Sequence, residues 1–304
     1  MTAHANVVSP GSTLRSLMDT SVVAAPGAFN ALCGLAIKHA GFPAAYVSGA
    51  ATSVSAGVPD VGLVGIEQFC RAIREIHQAT GLPVLADADT GFGEAEMVRK
   101  TVIEYSLAGA AGLHIEDQVF PKRCGHLDGK QLLPSEHMCE KVQWAKSAAK
   151  AIGDGGFVIC ARTDARAGEG LQAAIDRAQA YIKAGADMIF PEGLASEAEF
   201  EAFAKAINPD GSDATTRRAY LLANMTEFGK TPIIPLARFG EMGYHIVIFP
   251  VSLLRVAMHA VTGALTMLKT EGSVSTVLNS MQTRQQLYQL IGYTPGVSFE
   301  SRVR

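Results

Sequence analysis

Two aspartates one residue apart open the run Asp87-Ala88-Asp89-Thr90-Gly91-Phe92-Gly93, directly after the apolar stretch Val84 to Ala86. On an extended segment, side chains two apart project to the same face, so the pair can serve one point in space. Glu116, behind the stretch Gly112 to Ile115, adds a third carboxylate. No thiolate or imidazole stands at a matching position. Hard oxygen donors in a loosely filled site suit Mg²⁺, with Mn²⁺ as a substitute, over zinc. Taken singly, Asp87 reads as a helix cap and Glu116 as a solvated loop residue. Three acids behind neighbouring strands favour a metal site.

Cys124 stands between Arg123 and Gly125, with Lys122 and His126 alongside. Cationic neighbours and backbone donors lower a thiol's pKa, so this cysteine can give and take a proton near neutrality. A redox role lacks a resolving cysteine nearby in sequence. Arg162, Arg255 and Arg284 are candidates to hold substrate carboxylates through paired hydrogen bonds. Arg255 and Arg284, taken alone, read as surface charge. His114 and Tyr46, each inside an apolar stretch, read as core residues.

Such groups need a frame that brings them together. Short apolar stretches alternate with helical patterns along the chain: strands at Val22–Ala25, Ala44–Ser48, Val84–Ala86, Gly112–Ile115, Phe157–Cys160, Asp187–Phe190, Tyr220–Ala223 and His245–Phe249. The helices expected between them run over Asn30–His39, Ile66–Ala79, Glu94–Leu107, Ser135–Ala151, Leu171–Lys183, Glu197–Ala206 and Ile234–Gly243, with Leu253–Leu268 as the last. Continuous apolar strands are those buried on both faces. Three helices end on a similar phrase, at Gly41, Gly109 and Gly185, where a glycine stops the helix and feeds the next strand. Residues 49–65, rich in Gly, Ser and Ala, read as a loop. Eight βα units with no dinucleotide fingerprint predict an α/β fold, a single (β/α)8 TIM-type barrel over residues 1–270. Val274–Ile291 adds a helical stretch within a C-terminal extension, 271–304. Polar residues then follow six strands, at the end where such barrels carry their sites.

Composition excludes several classes. The formal net charge is −3 with both signs mixed along the chain, so no basic patch points to nucleic acid. No apolar run approaches membrane-spanning length, and the first ten residues carry no leader pattern. The five cysteines have irregular spacing and no CxxC pair, which suits free thiols in a reducing cytoplasm.

The same segments, together with His114-Ile115-Glu116-Asp117-Gln118, Lys122-Arg123-Cys124-Gly125-His126, Ala161-Arg162-Thr163-Asp164-Ala165, Asn224-Met225-Thr226-Glu227-Phe228-Gly229 and Met281-Gln282-Thr283-Arg284, resemble the isocitrate lyase and phosphoenolpyruvate mutase superfamily. The likeness runs from Ser9 to about Tyr293, and the cysteine pentapeptide marks the lyase branch. The resemblance implies Mg²⁺ on Asp87 and Asp89, with Glu116 in the metal shell. It assigns substrate contacts to Ser48, Gly49, Ala50, Gly125, His126, Arg162, Glu192, Asn224, Thr226, Arg255 and Arg284. It places Asp60 and Arg123 near the reacting centre, makes Tyr46 a suspected base and Cys124 the acid. The activity implied is cleavage of 2-methylisocitrate to pyruvate and succinate, within propionate breakdown. Alternatives are 2,3-dimethylmalate or isocitrate as substrate, or oxaloacetate decarboxylation. The resemblance also implies a homotetramer that exchanges its terminal helices. One departure is Ala50, where the family's Ser-Gly-Gly run has a second glycine.

Overall fold

The computed structural model describes residues 8–123, 125, 129–153 and 155–298. Eight parallel strands form one sheet: β1 (Val23–Pro26), β2 (Ala45–Val47), β3 (Val84–Asp87), β4 (Ala110–Glu116), β5 (Val158–Thr163), β6 (Met188–Pro191), β7 (Tyr220–Asn224) and β8 (Ile246–Phe249). Their order is β1-β8-β7-β6-β5-β4-β3-β2. The remaining seam, β1 to β2, is joined by a single bridge from Gly27 to Tyr46, with Ala28 N–H donating to the Tyr46 carbonyl at 2.9 Å. The barrel is nearly closed, as expected from the eight βα units.

Among the described residues, twelve α-helices accompany the strands: α1 (Pro10–Thr20), α2 (Ala31–His39), α3 (Gly49–Ser55), α4 (Ile66–Thr80), α5 (Ala95–Ala108), α6 (Ser135–Ala151), α7 (Ala165–Glu169), α8 (Leu171–Ala184), α9 (Glu197–Ile207), α10 (Leu236–Glu241), α11 (Ser252–Glu271) and α12 (Arg284–Ile291). Gly109 and Gly185 end α5 and α8 in the left-handed region, at φ 95° and 112°, as the repeated phrase predicts.

Period-2 alternation sorts the strand residues into two cores. Leu85, Val158, Cys160, Met188, Phe190, Leu222, Ile246 and Ile248 fill the barrel interior. Val84, Ala86, Leu113, Ile115, Ile159, Ala161, Ile189, Leu221 and Val247 pack outward beneath the helices. Both faces are apolar, which is why the strands read as continuous runs.

Five elements differ from the sequence reading, the short α7 among them. Residues 49–55 of the expected loop form α3, because the Ser48 hydroxyl accepts the Ala51 N–H and starts a turn among small residues. α1 was not expected. Capped by Ser9, it sends Leu14 and Met18 into the amino-terminal mouth of the barrel, each burial contributing roughly 1.5–3 kcal/mol. The stretch Val274–Ile291 is broken into a 3₁₀ turn, Ser275–Ser280, and α12, because Thr283 starts α12 with a capping box to Gln286. Finally, α11 does not cover the barrel as an eighth outer helix. Leu254 is its only buried residue, while Val256 and Leu265 are 70% and 60% exposed.

Candidate active site

The inward rows of the barrel end in polar side chains. Following parity from the interior core, Leu85 leads to Asp87, Cys160 to Arg162, Phe190 to Glu192 and Leu222 to Asn224. His114 and Glu116 close the row on β4, and Tyr46 and Ser48 that on β2. All of these except Asn224 are buried. Tyr46, Ser48, Ala50, Asp60, Asp87, Gly125, Arg162, Glu192, Asn224, Thr226 and Arg255 line one pocket of about 140 Å³, with Phe190 and Phe228 as apolar walls. Sequence reasoning placed these eleven at the site, and the structure brings them together.

Asp87 and Asp89 meet, but not along an extended strand, and among the described residues no three His, Cys, Asp or Glu side chains are grouped closely enough to hold a metal ion as they stand. β3 ends at Asp87, and Asp89 turns back with φ 46°, its N–H donating to Asp87 Oδ1 at 2.9 Å. A β-carbon at Gly49 would lie 2.6 Å from Asp87 Oδ2 and 3.3 Å from Asp89 Oδ1, so only glycine lets α3 approach both. Gly49 N–H donates to Asp87 Oδ2 at 3.0 Å. Buried Asp89 Oδ1 and both Glu116 carboxylate oxygens receive no hydrogen bond of good geometry, although cations stand close to them. Burial, together with the charge of Asp87, pushes the Asp89 carboxyl up to about 7, and burial raises Glu116 well above the usual carboxylate range. The compensating charge is cationic. Lys122 Nζ lies 2.8 Å from Asp89 Oδ1 and also pairs with Asp60, and Arg162 Nη1 lies 3.2 Å from Glu116 Oε2. Oxygen donors left without hydrogen bonds suit a hard dication, and Mg²⁺ needs only one or two carboxylates beside water and substrate.

Arg162 organises the opposite wall. Its Nε and Nη2 donate to Asp164 at 2.9 and 3.1 Å, and its guanidinium lies 5.1 Å from the Phe190 ring. Glu192 accepts from Asn224 at 3.2 Å. Arg255 donates to the Glu227 carbonyl and carboxylate at 2.6 and 2.8 Å.

Tyr46 does not suit a free phenolate. Its hydroxyl is 2.8 Å from His114 Nε2, and burial raises its pKa well above the ordinary value. Burial lowers His114 to about 4, so the pair is neutral. Four predicted site residues are not placed at the pocket. Cys124 and His126 lie outside the described residues. Arg123 is exposed outside the pocket, its backbone held by Gln118 at 2.9 Å in both directions. Arg284 opens α12 as an exposed residue and does not reach the pocket within one chain.

Sequence reasoning noted Lys122 only as a neighbour of the cysteine and His114 only as core. Parity could have found His114, which shares the inward row of Glu116. Nothing in the sequence signals that Lys122 reaches Asp60.

A sequence profile of the phosphoenolpyruvate phosphomutase family matches residues 14–269. The chain belongs to that family. It is 48% identical to the probable 2-methylisocitrate lyase 1 of Corynebacterium glutamicum, over 91% of this chain and 87% of that one. It is 39% identical to the 2,3-dimethylmalate lyase of Eubacterium barkeri, over 94% and 95%. Among solved structures, a 2,3-dimethylmalate lyase superposes with TM-score 0.85 at 35% identity, covering 94% of this chain and 92% of that one. A phosphonopyruvate hydrolase complexed with oxalate and Mg²⁺ superposes with TM-score 0.81 at 29% identity, covering 93% and 95%. Membership accounts for the barrel. Among the described residues, no helix is long and apolar enough to cross a membrane.

Proposed function

We propose that this family member is a Mg²⁺-dependent carbon–carbon lyase that cleaves 2-methylisocitrate to pyruvate and succinate. The observation that carries the reading is a pocket lined by the carboxylates of Asp60, Asp87 and Glu192 and by Arg162, beside the buried Asp89 and Glu116, in a chain 48% identical to a probable 2-methylisocitrate lyase.

Asp87, Asp89 and Glu116 would hold the metal, which when bound favours ionisation of the substrate hydroxyl and offsets the negative charge that develops as the bond breaks. Arg162, Asn224, Thr226 and Arg255, with Ser48 and Gly49, bind the carboxylates and fix the scissile bond. The hydroxyl proton passes to solvent, the bond between the hydroxyl-bearing carbon and its neighbour breaks, the hydroxyl carbon becomes the keto carbon of pyruvate, and the electron pair stays alpha to a succinate carboxylate. Cys124 gives its proton to that carbon and is left as thiolate, which Lys122 and Arg123 favour as sequence neighbours. Tyr46 keeps its proton and acts as a hydrogen-bonding wall group beside His114.

A second substrate, 2,3-dimethylmalate, is favoured by the 39% identical relative. Ala50 in the pocket wall bears on that choice, since one methyl group discriminates by only about 1–3 kcal/mol. The test is pyruvate release with and without Mg²⁺ from 2-methylisocitrate, isocitrate and 2,3-dimethylmalate. Metal-dependent preference for the first supports the reading; preference for the third replaces the substrate. Silence on all three, with turnover of oxaloacetate, overturns the lyase assignment.

The exposed apolar side chains of α11, Val256, Val261, Leu265 and Leu268, favour assembly. We propose a homotetramer in which residues 1–270 form the catalytic barrel and the 271–304 extension crosses to a neighbour, carrying Arg284 toward a second pocket. Light scattering that gives a monomer would remove this. The thiols of Cys33, Cys70, Cys139 and Cys160 are unpaired, which suits a reducing cytoplasm.

A further inference from the structure

The reaction accounts for the acids and for Arg162 but not for Lys130. Lys130 follows the cysteine pentapeptide, and its side chain is only 4% exposed. Its ammonium lies 2.7 Å from Asp164 Oδ1 and also donates to the Gly125 carbonyl. Each contact leads into the pocket. Asp164 is the carboxylate that takes both Nε and Nη2 of Arg162. Gly125 lies against Arg162 and Glu192: a β-carbon there would sit 2.5 Å from Arg162 Nη2 and 2.7 Å from Glu192 Cδ. The backbone of Gly125 is therefore pocket wall, and one ammonium sets both that wall and the counter-charge of the arginine behind it.

We infer that Lys130 is a positioning residue for the proposed lyase reaction. It shares Asp164 with Arg162, so that the guanidinium is not drawn wholly onto one buried carboxylate and keeps an edge toward Glu116 and Glu192, at 3.2 and 3.8 Å. It also ties the residue next to Cys124 to the rigid end of β5. The inference rests on the lyase reading for its kinetic consequence and on geometry alone for the tether. Without the ammonium, Asp164 would be a buried charge matched by Arg162 only, while Asp117 already lies close enough to accept the Asp164 N–H at 2.9 Å. A cavity of about 290 Å³ lined by Lys130, Asp164, Ala167 and Glu169 leaves room for a longer cation.

The test compares Lys130→Met with Lys130→Arg in the full chain. In Lys130→Met, kcat/KM for 2-methylisocitrate should fall about 10- to 100-fold, since sub-ångström displacement of binding groups costs that much. KM should take the larger share, because Arg162 and Gly125 face the substrate. Lys130→Arg should restore most of the loss. Limited trypsin cleavage after Arg123, followed by mass spectrometry without substrate, reads the tether independently. It should speed at least several-fold in Lys130→Met and return toward wild type in Lys130→Arg, with thermal unfolding little changed. Unchanged kinetics and cleavage in Lys130→Met, or equal losses in both variants, would overturn the role. If wild type does not turn over 2-methylisocitrate, the function reading fails while cleavage still decides the tether.

Discussion

The two ends of the barrel are built from the same strands and treat polar groups in opposite ways. At the amino end, Asn208 donates to the Ala219 carbonyl at 3.0 Å and accepts from the N–H groups of Arg218 and Ala219 at 2.7 and 3.2 Å. His245 accepts the Leu221 N–H at 3.0 Å through Nδ1 and faces the Ser212 carbonyl at 2.7 Å through Nε2. Asp187 is held by Lys146 at 2.6 Å and Arg15 at 3.0 Å. The exceptions there are Thr216 Oγ1 and Arg217 Nη1, and the Arg217 guanidinium stacks 3.9 Å from the Tyr220 ring. At the carboxyl end, Asp89, His114, Glu116 and Asn224 all carry buried atoms without hydrogen bonds. Asp60, Asp87, Asp89, Glu116, Asp164 and Glu192 there outnumber Lys122, Lys130 and Arg162. One end is finished by the chain itself and holds it together; the other is left with unspent donors and acceptors, which is what a metal and a polyanionic substrate require.

That contrast can be broken at either end. The largest effect should come from Cys124→Ser, which lowers turnover by about 10²–10⁴-fold, the usual worth of a general acid. Mg²⁺ affinity, measured by calorimetry, should stay near wild type, and near-wild-type turnover would remove Cys124 from the chemistry. Gly11→Ala attacks the other end. Its β-carbon would sit 2.4 Å from the Gly156 carbonyl oxygen and 2.7 Å from the Phe157 nitrogen, both backbone atoms. Overpacking of this kind costs about 1–3 kcal/mol, to be read as a lower denaturant midpoint while the folded fraction keeps its kcat. Glu116→Gln should do the reverse. It removes a buried carboxyl whose raised pKa costs stability at neutral pH, because the unfolded chain ionises it more readily, so the metal-free protein should melt about 1–2 °C higher, roughly 1 kcal/mol at this size. Activity and the stabilisation conferred by Mg²⁺ should both be lost; a lower melting point would show that Glu116 is a structural ion-pair partner instead.

The smallest expected effect is a pH dependence at the amino end. Burial lowers the pKa of His245 below its usual value near 6.5. As pH falls below about 6.5 the unfolded chain takes up a proton that the folded chain refuses, so stability drops through that window. The denaturant midpoint of wild type should fall between pH 7 and pH 5 by more than that of His245→Gln. Equal slopes would show that this histidine does not titrate with folding.

Much of this molecule was legible in its residues because the signals are local. Apolar runs marked every strand, and glycines after α5 and α8 marked helix ends, since a left-handed residue at a helix stop is a property of the backbone alone. Asp87, Glu116, Arg162, Glu192 and Asn224 could be placed at one end of the barrel because each directly follows a strand, and strand direction then decides which way it faces. Tertiary structure decided the rest, where the outcome depends on what lies across space. Asp89 meets Asp87 through a backbone turn at φ 46°, not through the pleat the spacing suggested. α1 is a plug only because the barrel has a mouth to fill. Lys122 reaches Asp60 and Lys130 reaches Asp164 across separations of 62 and 34 residues, contacts set by the closure of the sheet rather than by any pattern along the chain.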